Sequence, residues 1–433
     1  MSARLVQRDG TPASLVIEGA RLLDPAAGID RVGDLVVRDG AIGGEPDGLE
    51  RISGDGLLVA PGFVDPHVHL RTPGREDAED IASGSRAAAA GGFVTILAMP
   101  NTHPVVDSAA VLGSLLEQAA RDAAIRVGFF AAITVGQEGR ALTEQGELAE
   151  LGAAGFSDDG RPVRSAEVLR RALRYQQITG GLPLVLHEED PDLSGEGVMH
   201  EGLVSSRLGL AGIPGVSESS MVARDLALAV TEDARVHVCH VSARETVEEL
   251  RRARERGVRV TSEVTPHHLV LTDDAVATLD ASRYKMNPPL RSEEDREALV
   301  AALADGTIDC VATDHAPHAP QEKEAPFEEA PFGVTGLETA FAVCNTHLVR
   351  RGVLPLELLV RRMSSDPAAA LGLPVPTLAE GAPADLALID PAGRVRVGEE
   401  RFQSKSANSA FLGDDLEGRI LLTIAGGQVA WRR

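Results

Sequence analysis

The sequence predicts an α/β protein: a (β/α)8 barrel of the TIM type, joined to a small β-sandwich formed by the N- and C-terminal segments. Three observations carry this expectation. Eight short apolar runs alternate with helix-like stretches between about residues 60 and 370, the pattern of a parallel sheet wrapped by helices. Both chain ends differ from this middle: residues 14–60 and 380–433 hold short β-type runs broken by Gly, Pro and Asp. Histidines and aspartates gather where the apolar runs end, which is where barrels of this kind place functional side chains. The expected domains are therefore 1–59 with 370–433 for the sandwich, and 60–369 for the barrel.

In chain order, SLVIEGARLLD, GDLVVRDGAIGG and LLVAP supply the first sandwich strands. The barrel strands are then expected at GFVDPHVHL (62–70), GFVTILAMPN (92–101), IRVGFFAAITV (125–135), AGFSDD (154–159), LPLVLHEED (182–190), RVHVCHVS (235–242), VRVTSEVTPHHLVL (258–271) and IDCVATDHAPH (308–318). Between them DSAAVLGSLLEQAARDAA, SAEVLRRALRYQQITG, SESSMVARDLALAVTEDA and SEEDREALVAALADG have helical texture. The runs ADLALID, GRVRVG and GRILLTIAGGQVAWR return to β texture and are expected to pair with the N-terminal ones.

Composition narrows the function. Lys+Arg 42 against Asp+Glu 65 leaves a net charge of −23, which argues against nucleic acid or an anionic membrane as partner. No run approaches the roughly 20 apolar residues of a membrane span, and the polar start MSARLVQRDG is no signal peptide, so a cytoplasmic protein is expected. The three cysteines, Cys239, Cys310 and Cys344, form no CxxC pair and suit a reducing compartment. The only lysines are Lys285, Lys323 and Lys405.

The chemistry starts at DPHVHLRTPG. His67 and His69 are two residues apart on a strand, so both rings can reach one metal ion. Alone, such a pair is weak. The other strand ends add Asp158 and Asp159, His187, His240 and Asp314. Imidazole with carboxylate suits Zn²⁺, and two ions about 3.5–4 Å apart can share one nucleophilic hydroxide. Arg71, two residues past His69, offers a guanidinium fork matched to a carboxylate. Asn101, closing the second run, can donate without adding charge.

These residues carry a family resemblance. PGFVDPHVHLRTPG, GGFVTILAMPNTHP, GFSDDG, LHEED, GLAGIPGVSESSMVARDLALA, HVCHVS, TSEVTPHHL, KMNPPLR, ATDHAPH and PFGVTGLETA together resemble the amidohydrolase superfamily, and within it the type I bacterial dihydroorotases. The likeness extends through EGAPADLALID to nearly the whole length.

The resemblance implies two zinc ions, one held by His67, His69 and Asp314, the other by His187 and His240, with Asp159 bridging them. It implies that Arg71, Asn101 and His318 grip the substrate carboxylate beside His69, and that Asn287 and the backbone of Phe332 and Gly333 hold the pyrimidine ring. Asp314 would be the general acid and base for closing N-carbamoyl-L-aspartate to dihydroorotate, or for the reverse, in de novo pyrimidine biosynthesis. Allantoinases and hydantoinases resemble each other in bridging their metals with a carboxylated lysine on the fourth strand; here no lysine precedes Lys285 and that strand offers Asp158 and Asp159. Thr72 stands where the family commonly has Glu. Relatives also include inactive structural partners of aspartate carbamoyltransferase, but every expected ligand is present here. An aspartate carbamoyltransferase partner and a homo-oligomer are both expected. The stretch 315–332, HAPHAPQEKEAPFEEAPF, holds four prolines without regular periodicity and is expected to act as a lid that carries His318 onto the substrate.

Overall fold

A computed structural model describes residues 2–278 and 281–433. Its centre is a closed parallel barrel. Phe63–Val68, Phe93–Ala98 and Arg126–Phe129 pair in order. Leu184–Leu186, Arg235–Val238, Arg259–Val264 and Cys310–Val311 form the other arc. The fourth run is reduced to Phe156, which bridges Ala131 on one side and Leu184 on the other, and Val68 pairs with His315 to close the ring. Gly155 allows this tight passage, since a Cβ there would lie 2.7 Å from the Pro183 carbonyl oxygen.

The seventh run is shorter than its apolar pattern suggests. Its strand ends at Val264, and Pro266–Val270 is a short helix, because Pro266 sits in the first turn and the Thr265 side chain accepts from the His268 N–H. The helix Glu293–Asp305 is framed by Ser292, which exchanges capping bonds with Asp295, and by Gly306 in the left-handed region.

Val64, Leu97, Phe130, Ala154, Val185 and Cys239, one from each of six successive barrel segments, form one buried cluster. Residues 3–8, expected in the terminal sheet domain, lie against the barrel instead. Val6 bridges Val127, and Leu5 with Ala3 packs on that same cluster, so this start lies half-buried against the barrel.

The remaining ends build one hydrogen-bonded sheet in the order Gln428–Arg432, Asp415–Ala425, Leu386–Arg396, Leu58–Pro61, Leu15–Asp24, Ile29–Arg38 and Ala41–Ile42, with Glu50–Ser53 parallel to Leu15–Asp24. It has its own core, including Ile17, Leu22, Val37, Leu388 and Ile424. Asp385 ties it to the barrel through an ion pair with Arg126 at 2.8 Å. Among the described residues no helix is long and apolar enough to cross a membrane.

Candidate active site

The closed barrel delivers its polar side chains to one mouth. His67 is the last residue but one of the first strand and His69 lies just beyond its end, its N–H held by the His315 carbonyl at 2.9 Å. Asp159, His187, His240 and Asp314 follow the fourth, fifth, sixth and eighth strands. All six are buried.

Their ring nitrogens and carboxylate oxygens face inward. His67 Nε2 stands 3.5 Å from both Asp159 Oδ1 and Asp314 Oδ1, and His69 Nε2 stands 3.1 Å from Asp314 Oδ1. Asp159 Oδ1 is also 3.6 Å from His187 Nδ1 and 3.8 Å from His240 Nε2. Asp159 thus lies between two donor groups, His67, His69 and Asp314 on one side, His187 and His240 on the other.

This donor set fits a divalent metal. His67 Nε2 and Asp159 Oδ1 are buried with no hydrogen-bond partner, a costly state for polar atoms unless an ion engages them. The spacings are close to the edge of a coordination polyhedron built on bonds of about 2.1 Å. Cys239 also belongs to the cluster with His67, Asp159 and His240, lying in the apolar layer beneath it.

Electrostatics point the same way. Burial opposes charge on His67, but the carboxylates of Glu263, Asp159 and Asp314 outweigh it and push the imidazole up to about 10. His187 is likewise raised to about 10, against burial, by Asp159 and Glu189. Burial would raise Asp159 and Asp314, yet the surrounding histidines hold both well below the usual carboxylate range. The pocket concentrates negative charge and calls for cations.

A further layer orients these donor side chains, and sequence reasoning missed most of it. Glu263, fully buried in the seventh strand, accepts from His67 Nδ1 at 2.7 Å and from His237 Nε2 at 3.0 Å. Glu189 stands 3.4 Å from His187 Nε2. Asp65 accepts the Thr313 hydroxyl at 2.5 Å and the His67 N–H at 3.1 Å, locking the two strand ends that carry His67 and Asp314. The strand sequence RVTSEV is mixed, and nothing in it marks Glu263 as the buried carboxylate.

Asp158 and Asp159 divide their work. Asp158 accepts from the N–H groups of Ile133 and Thr134 at 2.8 and 3.1 Å and from the Thr134 hydroxyl. It anchors the loop after the third strand and leaves Asp159 alone in the donor cluster.

A cavity of about 210 Å³ opens above the cluster, lined by His69, Arg71, Asn101, Asp159, His187, His240, Asn287, Asp314, Phe332 and Gly333. His67 lies beneath it and His318 beside it. Arg71 is not on the strand face expected for it: the strand stops at Val68, and Arg71 has φ +58°. Its Nε donates to the Pro317 carbonyl at 3.0 Å and its Nη2 lies 3.5 Å from His318 Nε2. His240 and Asp314 also have positive φ, at +29° and +47°. Three such residues at one mouth mark local strain of the kind functional sites store.

Other expected contacts are occupied within the protein. Asn101 Oδ1 accepts from His69 Nδ1 at 2.9 Å and its Nδ2 donates to Asp159 Oδ2 at 3.0 Å, so both amide ends hold members of the donor cluster in place. The Gly333 N–H donates to the Lys285 carbonyl at 3.0 Å and the Phe332 carbonyl accepts from His318 Nε2 at 2.7 Å. Asn287 donates to Glu189 while its Oδ1 is buried without a partner. The Thr72 hydroxyl is buried and unpaired as well.

Comparisons with known proteins agree with this geometry. A family model described as Dihydro-orotase-like matches residues 56–246. A dihydroorotase of Anaeromyxobacter sp. (strain K) is 50% identical over 422 residues, 96% of this chain and 97% of its own. One from Geobacter metallireducens is 46% identical over 426 residues, covering 97% of this chain and all (100%) of its own. Among solved structures, an L-hydantoinase (dihydropyrimidinase) from Arthrobacter aurescens superposes with a TM-score of 0.84 at 26% identity, over 97% of this chain and 96% of that one.

Proposed function

The chain belongs to the dihydroorotase family and is an enzyme, a cyclic amide hydrolase; on that premise we propose that its barrel mouth interconverts N-carbamoyl-L-aspartate and (S)-dihydroorotate using two zinc ions. The observation that carries the reading is the pairing of a buried His/Asp donor cluster with a cavity-lining guanidinium that has no carboxylate partner among the described residues. His67, His69 and Asp314 would hold one ion and His187 and His240 the other, with Asp159 shared. When bound, such ions supply Lewis acidity toward the amide carbonyl and lower the pKa of water at the site.

The protein groups do the rest. Burial pulls the Arg71 guanidinium down to about 10, so it remains charged at neutral pH while poorly solvated, and a substrate carboxylate would satisfy it. His318 Nε2, 3.5 Å from Arg71 Nη2, would join it by turning its N–H from the Phe332 carbonyl to the substrate carboxylate. The free Oδ1 of Asn287 can accept from a ring N–H. Asp314, kept ionised by its histidines, accepts the proton of the attacking water and returns it to the departing ring nitrogen. In the biosynthetic direction the same proton path runs backwards and water is lost.

A hydantoinase or allantoinase activity is the second reading, favoured by the shared fold. Asp159 in the bridging position and no lysine before Lys285 weigh against it. Zinc-reconstituted protein offered carbamoyl aspartate, dihydroorotate, hydantoin and allantoin should turn over only the first two. Faster hydrolysis of hydantoin would overturn the substrate assignment. A cytoplasmic, oligomeric enzyme, with aspartate carbamoyltransferase as a partner, belongs to this same proposal.

A further inference from the structure

Two of the three lysines in the chain are buried where the cavity wall is built. Lys285 follows the turn Ala281–Tyr284, and Lys323 ends the helical turn Pro320–Lys323 in the loop after the eighth strand. They are 3% and 8% exposed. Burying an ammonium is expensive unless its donors are used, and here the recorded bonds all go to backbone carbonyls. Lys285 Nζ donates to Phe327 and Glu328 at 2.7 and 3.0 Å. Lys323 Nζ donates to Lys285 and Pro331 at 3.1 and 2.9 Å.

The two bond sets interlock. The Lys285 carbonyl that accepts from Lys323 also accepts the Gly333 N–H at 3.0 Å, and Ser282 Oγ donates to the Lys323 carbonyl at 2.6 Å. Lys285 Nζ lies 4.7 Å from the centroid of the Phe332 ring, within cation–π range. Residues 324–332 form no regular element and offer few backbone partners of their own, so their carbonyls need donors from elsewhere. The bonds end at Phe327, Glu328 and Pro331, just before Phe332, and at the Gly333 N–H itself; Phe332 and Gly333 line the cavity with Asn287.

We propose that Lys285 and Lys323 are positioning residues: they staple the loop 319–332 to the segment 281–287 and so fix Phe332 and Gly333 against the bound substrate. They touch neither the metal ligands nor the reacting atoms. Their effect is on substrate affinity, and that part of the inference rests on the dihydroorotase reading.

The test uses the full-length zinc-loaded protein. Lys323→Met should raise KM for dihydroorotate roughly tenfold while kcat stays within about twofold and zinc content is unchanged. Lys323→Gln, which keeps an amide donor, should fall between it and the native protein. Without substrate, a glutamate-specific protease should cut the loop at Glu322, Glu324, Glu328 or Glu329 several-fold faster in Lys323→Met. Lys323→Cys alkylated with 2-bromoethylamine restores an ammonium at nearly the native reach and should recover KM; the three native cysteines are buried. Native KM and native cleavage in Lys323→Met, a fall in kcat alone, or no recovery on aminoethylation would each overturn the proposal. Should the native protein not turn over dihydroorotate, the substrate reading fails, while the cleavage comparison still decides whether the lysines hold the loop.

Discussion

At the scale of single residues, the proposed function separates groups that would bind metal from groups that would bind substrate, and the two can be perturbed independently. The Arg71 side chain lines the cavity and, among the described residues, donates to the Pro317 carbonyl and lies beside His318, with no carboxylate partner. Arg71→Met should weaken transition-state binding by about 2 kcal/mol or more, roughly 30-fold in kcat/KM and mostly through KM, with zinc retained; loss of zinc at unchanged KM would contradict its role. Glu263 is the converse case. It sits behind His67 and His237, away from the cavity, and Glu263→Gln should lower zinc affinity roughly 10- to 100-fold in a chelator competition. An unchanged affinity would show that His67 needs no such orientation. His67, His69, His187, His240 and Asp314 were legible in the sequence because each closes an apolar run. Glu263 was hidden inside a mixed run, where alternation alone gives it the look of an outward-facing strand residue.

At the scale of elements, the strand ends set which of two adjacent aspartates does what. The fourth barrel segment is a single bridging residue, Phe156, so Asp158 and Asp159 leave it on a turn rather than on alternating strand faces. Asp158 satisfies two buried N–H groups and a hydroxyl. Asp158→Ala should therefore cost about 2–5 kcal/mol of stability, seen as a lowered Tm, with zinc still bound. Asp159→Ala should do the opposite, losing zinc with less effect on the Tm of the metal-free protein. If the two variants exchange these phenotypes, the bridge has been assigned to the wrong aspartate. The sequence could not choose between them from spacing, because the choice depends on where the loop after the third strand passes. The Thr265–Pro266 pair was a local signal, overlooked in the sequence, that Pro266–Val270 turns helical, whereas the departure of Arg71 from the strand shows only in its backbone, at φ +58°.

At the scale of the whole molecule, the barrel, its closure and the sheet drawn from both chain ends were legible from the alternation of apolar runs. The path of residues 3–8 against the barrel was not, because a short start such as this fits a sheet edge or a barrel floor equally well. The buried charge pattern gives a prediction about stability. His67 and His187 stand at about 10 in the folded metal-free protein, above the ordinary value near 6.5. Their protonation stabilises the fold fully below about pH 6.5 and is lost as pH rises through 10. Metal replaces those protons, so its affinity rises over the same window. Lys323, lowered by burial to about 7, contributes to both forms alike and cancels in their difference. The gap in Tm between zinc-loaded and chelator-treated protein should widen from pH 6.5 to 10; a constant or narrowing gap would contradict the assignment of those histidines as ligands.

The most direct test of the central claim is a crystal structure of the zinc-loaded protein with dihydroorotate, with anomalous scattering recorded at the zinc edge. Two anomalous peaks should appear on either side of Asp159, with the substrate carboxylate on Arg71 and the ring amide facing the metals. A single peak at full occupancy, or a ring bound with its carboxylate turned away from Arg71, would contradict the account.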